Sequence, residues 1–287
     1  MKRKSTLLQQ ERSKFHQSLL NDILTIDKNG IPSNADKDQK SSVDFATSIA
    51  NQLSANNGAR LSGQSSGNKF ENAVASFLTN TFLKLEHLRP GKWDIIKVGS
   101  RRRDVISSYT QYEHLETLSK LSKQNVSLAA SLGNDYSISP DVIITREREA
   151  DSNINKPFPI VDEHLALLSD LRLISGVSHF LHASISTKWT LRSDRAQNAR
   201  SEALNLLRNR KGRSPHIVVV TGEPTPSRLA SIALGTGDID CVYHFALPEL
   251  QNAVLHSQND EALNMLNIMV DGKRLKDIAD LPLDLAV

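Results

Sequence analysis

Five short apolar, β-branched stretches recur along the chain with helix-spaced runs between them, and this alternation limits the fold more than any other feature. The stretches lie at 92–98, 141–145 (Asp-Val-Ile-Ile-Thr), 180–188, 216–221 and 240–245. Each has the length and composition of a β-strand. Helical spacing marks residues 5–26, where Leu7, Leu8, Phe15, Leu19, Leu20, Ile23 and Leu24 recur, and predicts a further helix over 43–53. A strong amphipathic helix carries Phe70, Ala73, Val74, Phe77, Leu78, Phe82 and Leu85 on one side, with Ser66 or Asn68 as its expected cap. More helices are expected at 113–123, 162–173, 194–207, 248–256 and 260–269, and polar loops at 27–42, 54–67 and 146–159. Strands interleaved with helices predict the α/β class, with a mixed central β-sheet flanked by helices. No linker or internal repeat divides the 287 residues. One domain spanning 1–287 is expected, its N-terminal helices (about 5–53) packed on the core.

Bulk properties exclude several classes. The 35 Lys and Arg against 32 Asp and Glu leave a net charge of only +3. Binding to nucleic acid must therefore use a local basic surface. Basic clusters occur at 1–4, at Arg101-Arg102-Arg103 and over 208–213, each readable also as a solvated turn or tail. The single cysteine, Cys241, sits in an apolar run and is expected as a buried core thiol. No zinc-ligand spacing, signal-peptide core or membrane-length apolar stretch is found, so a reducing cytoplasm is the expected compartment and no membrane partner is expected.

The chemistry-bearing residues cluster around two of the strands. Asp141, preceded by Pro140, opens one, and Ser186-Thr187-Lys188 ends the next. Glu202 lies in the following helix, on one stripe with Arg195, Ala199 and Leu206. Two acids and a lysine on adjacent elements suit metal-assisted phosphodiester cleavage: carboxylates hold a hard divalent cation, which polarises the phosphate and lowers the pKa of an attacking water. Ser186 and Lys188 share one face of their strand, with Thr187 pointing away. The plainer alternatives are a turn before a strand for Asp141, a solvated strand end for Lys188, and an exposed helix glutamate for Glu202. Between the lysine and the second acid lies Arg192-Ser-Asp194-Arg195. Arginine can donate twice to guanine and aspartate can accept from cytosine, so the triplet suits a core of C·G pairs. It also reads as a surface ion-pair cluster with Asp194 as N-cap.

The joint spacing (Pro140-Asp141, 46 residues, Lys188, 13 residues, Glu202) resembles the variant PD-(D/E)XK site of Type II restriction endonucleases that read CCGG and whose second acid has moved to the next helix. The resemblance implies a restriction-endonuclease-like core and Mg²⁺-dependent cleavage of double-stranded DNA at a palindrome with a CCGG core, GCCGGC. It implies Asp141, Lys188, Glu202, Ser186 and Glu71 as catalytic-site residues. The metal would be held by Asp141, the Thr187 carbonyl and Glu202. Arg192, Asp194 and Arg195 would read the core, Arg228 the outer pair, and Gln64, in a flexible loop, the minor groove. Ser186 stands where the usual motif has an acid, which is why a distant carboxylate is required. A homotetramer in a bacterial cytoplasm follows from the resemblance, whereas a palindrome alone requires only a twofold pair. Two rivals remain: a repair or junction-resolving nuclease of the same core, which needs phosphate contacts more than a compact base reader, and a non-catalytic DNA-binding protein, against which the intact Asp141, Lys188 and Glu202 argue.

Overall fold

Six strands form one mixed sheet in sequential order: β1 (Trp93–Lys97), β2 (Val142–Arg146), β3 (Phe180–Lys188), β4 (His216–Thr221), β5 (Cys241–His244) and β6 (Leu275–Asp277). The structure is a computed structural model describing residues 5–59, 61–99, 105–132, 138–235 and 237–287. The basic clusters at 1–4 and 101–103 lie outside the described residues. β1, β2 and β3 run antiparallel, and β3 to β6 run parallel. The central strands are buried along nearly their whole length, as a sheet covered on both faces requires.

The helices are α1 (Leu7–Asp22), α2 (Lys40–Gln52), α3 (Gly63–Thr81), α4 (His114–Gln124), α5 (Val126–Leu132), α6 (Asp151–Ile154), α7 (Ser193–Asn209), α8 (Pro226–Ala233), α9 (Leu247–Leu255), α10 (Asp260–Asp271) and α11 (Leu281–Asp284). The apolar face of α3 lies against α1 and the β1–β3 end of the sheet, with Phe70 against Trp189 at 5.1 Å and Phe77 against Phe15 at 5.5 Å. Buried apolar residues from Phe15 to Leu285 join one core cluster. Among the described residues, no helix is long and apolar enough to cross a membrane.

Several local expectations are corrected. Ser62, not Ser66 or Asn68, caps α3, its hydroxyl accepting the Ser65 N–H at 3.3 Å. Gln64 therefore stands on the exposed first turn of a helix and not in a flexible loop. Asp194 is not the N-cap of α7: that position is Arg192, with no side-chain cap. The helix expected over 162–173 does not form. Its backbone carbonyls are used by buried arginines instead: Arg172 donates to the carbonyls of Leu165 and Asp162 at 2.5 and 2.7 Å, and Arg148 to that of Asp170 at 2.6 Å. Asp162 meanwhile accepts from the N–H groups of His164 and Leu165. The loop at 146–159 holds the one-turn α6. β6 is too short to show a period, and α8 was signalled only by Pro226 in its first turn.

Two buried histidines constrain the protein's pH range. His244 accepts the Ala246 N–H through Nδ1 and donates through Nε2 to the Glu223 carbonyl, which fixes the neutral tautomer. Burial lowers it to about 4, and lowers His182, which donates to the Leu285 carbonyl, to about 3. Each binds a proton only on unfolding, so their contribution to stability is complete at pH 7 and is lost as pH falls from about 6.5 toward 4. For His244 the gap amounts to about 3 kcal/mol at pH 4. Urea unfolding between pH 7 and 4.5 will show a steep loss of stability, and His182→Gln will take up about one proton fewer on unfolding near pH 5. An unchanged proton uptake would show that His182 is not a buried neutral base.

Candidate active site

Asp141 stands one residue before β2, where the β2–β3 ladder ends at the pair Val142 and Ile185. Past that point β3 continues alone on this side, and Asp141 takes over its hydrogen bonding. Asp141 Oδ2 accepts the Thr187 N–H at 2.6 Å and the Lys188 ammonium at 3.0 Å. The Thr187 hydroxyl also lies 3.3 Å from Oδ2, so this side chain turns toward Asp141 rather than away from it. In a strand the N–H and C=O of one residue point the same way. The Thr187 carbonyl therefore faces Asp141 as well, beyond the last ladder pair. The Lys188 carbonyl points the other way and accepts from Gly222 N–H at 3.1 Å and Thr221 Oγ1 at 2.7 Å.

Glu202 reaches the same place from α7, whose Ala199, Ala203 and Leu206 are buried. It is not a solvated helix glutamate. Its Oε1 is buried without a hydrogen-bond partner, and burial pushes its carboxyl up to about 8, with Lys188 opposing that rise and Asp141 adding to it. Ser186 Oγ, buried on β3, is also without a partner. Glu71, half-buried on α3, pairs with Lys97 at 3.3 Å. Burial raises its carboxyl as well, Asp141 adds to the rise, and Lys97 and Lys188 oppose it. Among the described residues no three His, Cys, Asp or Glu side chains gather as a metal cluster. The candidate donors on these adjoining elements are Asp141, the Thr187 carbonyl and Glu202, whose carboxyl feels the charge of Asp141. Two carboxylates and a carbonyl suit a small hard cation that keeps part of its water shell, and the orphaned Glu202 oxygen is an acceptor left over for one.

The basic triplet follows directly. Trp189 wedges between Phe70 and Phe245 and against Gly222, where an added Cβ would meet the indole at 2.5 Å. This close approach turns the chain sharply from β3 into α7. Arg192 and Asp194 are exposed at the start of α7, and Arg195 donates to Thr190 Oγ1 at 2.7 Å. Arg192, Arg195, Trp189 and Ser66 line a cleft of about 250 Å³ beside Gly63, the neighbour of Gln64. Arg228, on α8, is held between carboxylates: it donates to Asp36 and lies 3.8 Å from Glu223. Asp36 is correspondingly held below the usual carboxylate range by Arg228. The basic run at 208–213 sits at the opposite end of α7 from this cleft.

Sequence reasoning missed Glu223, Asp36 and Lys97. Glu223 is fully buried and accepts the N–H groups of Leu191 at 2.8 Å and Thr225 at 3.2 Å, tying the turn before α7 to the turn after β4. An acid directly after an apolar parallel strand, in Thr221-Gly-Glu223-Pro, was the available signal.

A mixed sheet whose lysine-bearing strand meets an acid at the start of its antiparallel neighbour defines a restriction-endonuclease-like protein. The model of the NgoMIV restriction enzyme family matches residues 15–287, and the chain belongs to that family. It is 55% identical over 283 residues, 98% of this chain and 99% of the relative, to the Type II restriction enzyme NgoMIV of Neisseria gonorrhoeae. The protein is accordingly a site-specific deoxyribonuclease of the Type II restriction class, as the residue spacing led us to expect. A solved structure, Type IIF restriction endonuclease Bse634I with cognate DNA, aligns over 95% of this chain and 92% of that one at 16% identity, with a TM-score of 0.34.

Glu202 gives the site a measurable signature. Its folded pKa is raised from an ordinary 4.5 to about 8, so its contribution to stability is complete below about 4.5 and is lost as pH rises through 8. In EDTA, Glu202→Gln, which mimics the protonated acid, will match the wild type at pH 4 and unfold at higher urea concentration than the wild type at pH 9. Equal midpoints at pH 9 would mean that Glu202 is not a buried acid.

Proposed function

We propose that the protein is a Mg²⁺-dependent endonuclease that cuts double-stranded DNA at GCCGGC, a palindrome with a CCGG core. The observation that carries this is the convergence of Asp141, Thr187, Lys188 and Glu202 at one strand end, four residues before Arg192. Cutting and reading groups leave the sheet together on one short turn.

Asp141, the Thr187 carbonyl and Glu202 hold the metal in this reading. Bound there, the ion lowers the pKa of an attacking water and neutralises charge on the scissile phosphate. Lys188, anchored on Asp141, donates to that phosphate or to the water. Ser186 lines the site but cannot replace a carboxylate, so the Glu202 carboxyl would supply the second negative charge to a bound cation. Glu71 orients water or a ligand from α3. Arg192, Asp194 and Arg195 contact the base edges of the CCGG core. Arg228 reads the outer pair after exchanging Asp36 or Glu223 for a guanine edge, and Gln64 reaches the minor groove from the exposed start of α3.

A homotetramer forms one further part of the proposal. Its support is an exposed apolar surface on the segment after α6, where Phe158, Leu165, Leu168 and Val177 are 65%, 71%, 94% and 87% exposed. Exposed apolar side chains, where they adjoin, form surfaces that mark association sites. We also propose that the chain works as a single domain and in the bacterial cytoplasm, a compartment that suits one buried, unpaired cysteine.

With Mg²⁺ and a plasmid of known sequence, the enzyme will produce fragments whose sequenced ends all map to GCCGGC, and sedimentation will report four chains per particle. Asp141→Ala will bind the same site in Ca²⁺ but cut at less than one-hundredth of the wild-type rate. Fragment ends at unrelated sequences would reject the recognition site, and near-normal cutting by the variant would reject the metal assignment.

The readers separate by their effects on sequence choice. Arg195→Ala will lose discrimination within the core by about 1–3 kcal/mol, while Arg228→Ala will relax only the outer pair. Competition binding against duplexes substituted at one pair each measures both. If either variant weakens every duplex equally, that arginine grips the backbone instead.

A further inference from the structure

Lys97 ends β1 at the same end of the sheet as Asp141, and none of the roles assigned above uses it. Its ammonium lies 3.3 Å from Glu71 Oε2, 2.8 Å from Asn72 Oδ1 and 3.1 Å from the Asn68 carbonyl, and it also donates to Asn68 Oδ1. These acceptors form one face of α3, at positions i, i+3 and i+4. An ammonium has three protons, so four acceptors share them, and Glu71 is the charged member of the set. The two side chains are only 25% and 22% exposed, so the pair is screened less than a surface ion pair.

The backbone completes the link. Lys97 pairs with Val142, the residue after Asp141, and the N–H of Val98 donates to the Asp141 carbonyl at 2.9 Å. One residue thus ties the helix that carries Glu71 to the strand start that carries Asp141. A DNA phosphate arriving at Asp141 meets Glu71 as a further negative charge, and Lys97 is the cation already paired with it.

We propose that Lys97 is a positioning residue of the cleavage site, which fixes the Glu71 carboxylate on α3 beside Asp141 and cancels its charge so that the DNA phosphate can approach. This rests on the assignment of Asp141 and Glu71 to the site. Lys97 acts through Glu71, so its loss matters only while Glu71 is charged and present.

The test uses the full-length enzyme and a duplex carrying whichever site the wild type cuts. Four variants are compared: Glu71→Gln, Lys97→Met, Lys97→Arg and the double variant Lys97→Met/Glu71→Gln. Binding is measured in EDTA, and single-turnover cleavage at saturating Mg²⁺. We expect Lys97→Met to bind the duplex about fivefold more weakly in EDTA, and the double variant to return to within twofold of wild type. Lys97→Met will cut at least tenfold more slowly, and Lys97→Arg will recover most of that rate. Thermal melting reports folding; if Lys97→Met unfolds, Lys97→Gln replaces it. A double variant that binds as weakly as Lys97→Met would overturn the proposal, since Lys97 would then act independently of Glu71, as would a Lys97→Met enzyme with wild-type cutting. If Glu71→Gln alone leaves cleavage unchanged, Glu71 itself is misassigned, which is a separate failure.

Discussion

Asp141 Oδ2 is the atom on which the arrangement of the site depends. It accepts the Thr187 N–H and the Lys188 ammonium where the β2–β3 ladder has run out. A carboxylate gripped in this way by a neighbouring strand has little freedom to turn, and a functional group fixed to rigid elements keeps its geometry better than one on a loop. The same contact aims the Thr187 carbonyl and the Lys188 side chain. Around it the charges are nearly balanced: Asp141, Glu202 and Glu71 face Lys188 and Lys97. Burial raises the Glu202 carboxyl to about 8, and its Oε1 is buried without a hydrogen-bond partner.

The second dependence runs from the cleavage residues to the base readers through Glu223. Its carboxylate accepts from Leu191 ahead of α7 and from Thr225 ahead of α8, and it faces Arg228. Arg192 and Arg195 on one helix and Arg228 on the other are thereby set by one buried acid. Burial raises Glu223 above the ordinary carboxylate range, while the two N–H groups and Arg228 work against that rise. In our reading, engagement of the outer base pair by Arg228 would be felt at the turn that leads back to Lys188. Asp36 enters from the N-terminal segment, where Asn34 also donates to the Gly222 carbonyl at 2.8 Å.

Much of this was legible in the sequence because strands and helices announce themselves by period. β3 and β4 are found at the residues their apolar runs marked, and α7, α9 and α10 differ by a residue or two at their ends. The grouping of Asp141, Lys188 and Glu202 was legible from spacing once the resemblance was recognised, although spacing says nothing of the Thr187 hydroxyl turning toward Asp141 or of Glu202 losing its solvent. Lys97 and Glu223 were illegible for a different reason. Their partners are 25 residues or more away in the chain or lie in loops, and a lone lysine or glutamate at a strand end has no period to betray it.

The segment after α6 shows how the same signals mislead. Leu165, Leu167, Leu168 and Leu171 have the composition of a helix, yet a helix there needs a surface on which to bury its apolar face. Among the described residues none covers this face: Leu168 is 94% exposed. The backbone is organised from beneath, by Arg148 and Arg172, whose guanidinium groups are almost fully buried and bond to loop carbonyls and to Asp151. Two arginines replace the helical hydrogen bonds, and the leucines are turned outward as a consequence. A loop fixed from inside by buried charge has little entropy left to lose on docking, so its outward apolar face is prepared for contact at low cost. In the tetramer we propose, that economy would favour association through this segment.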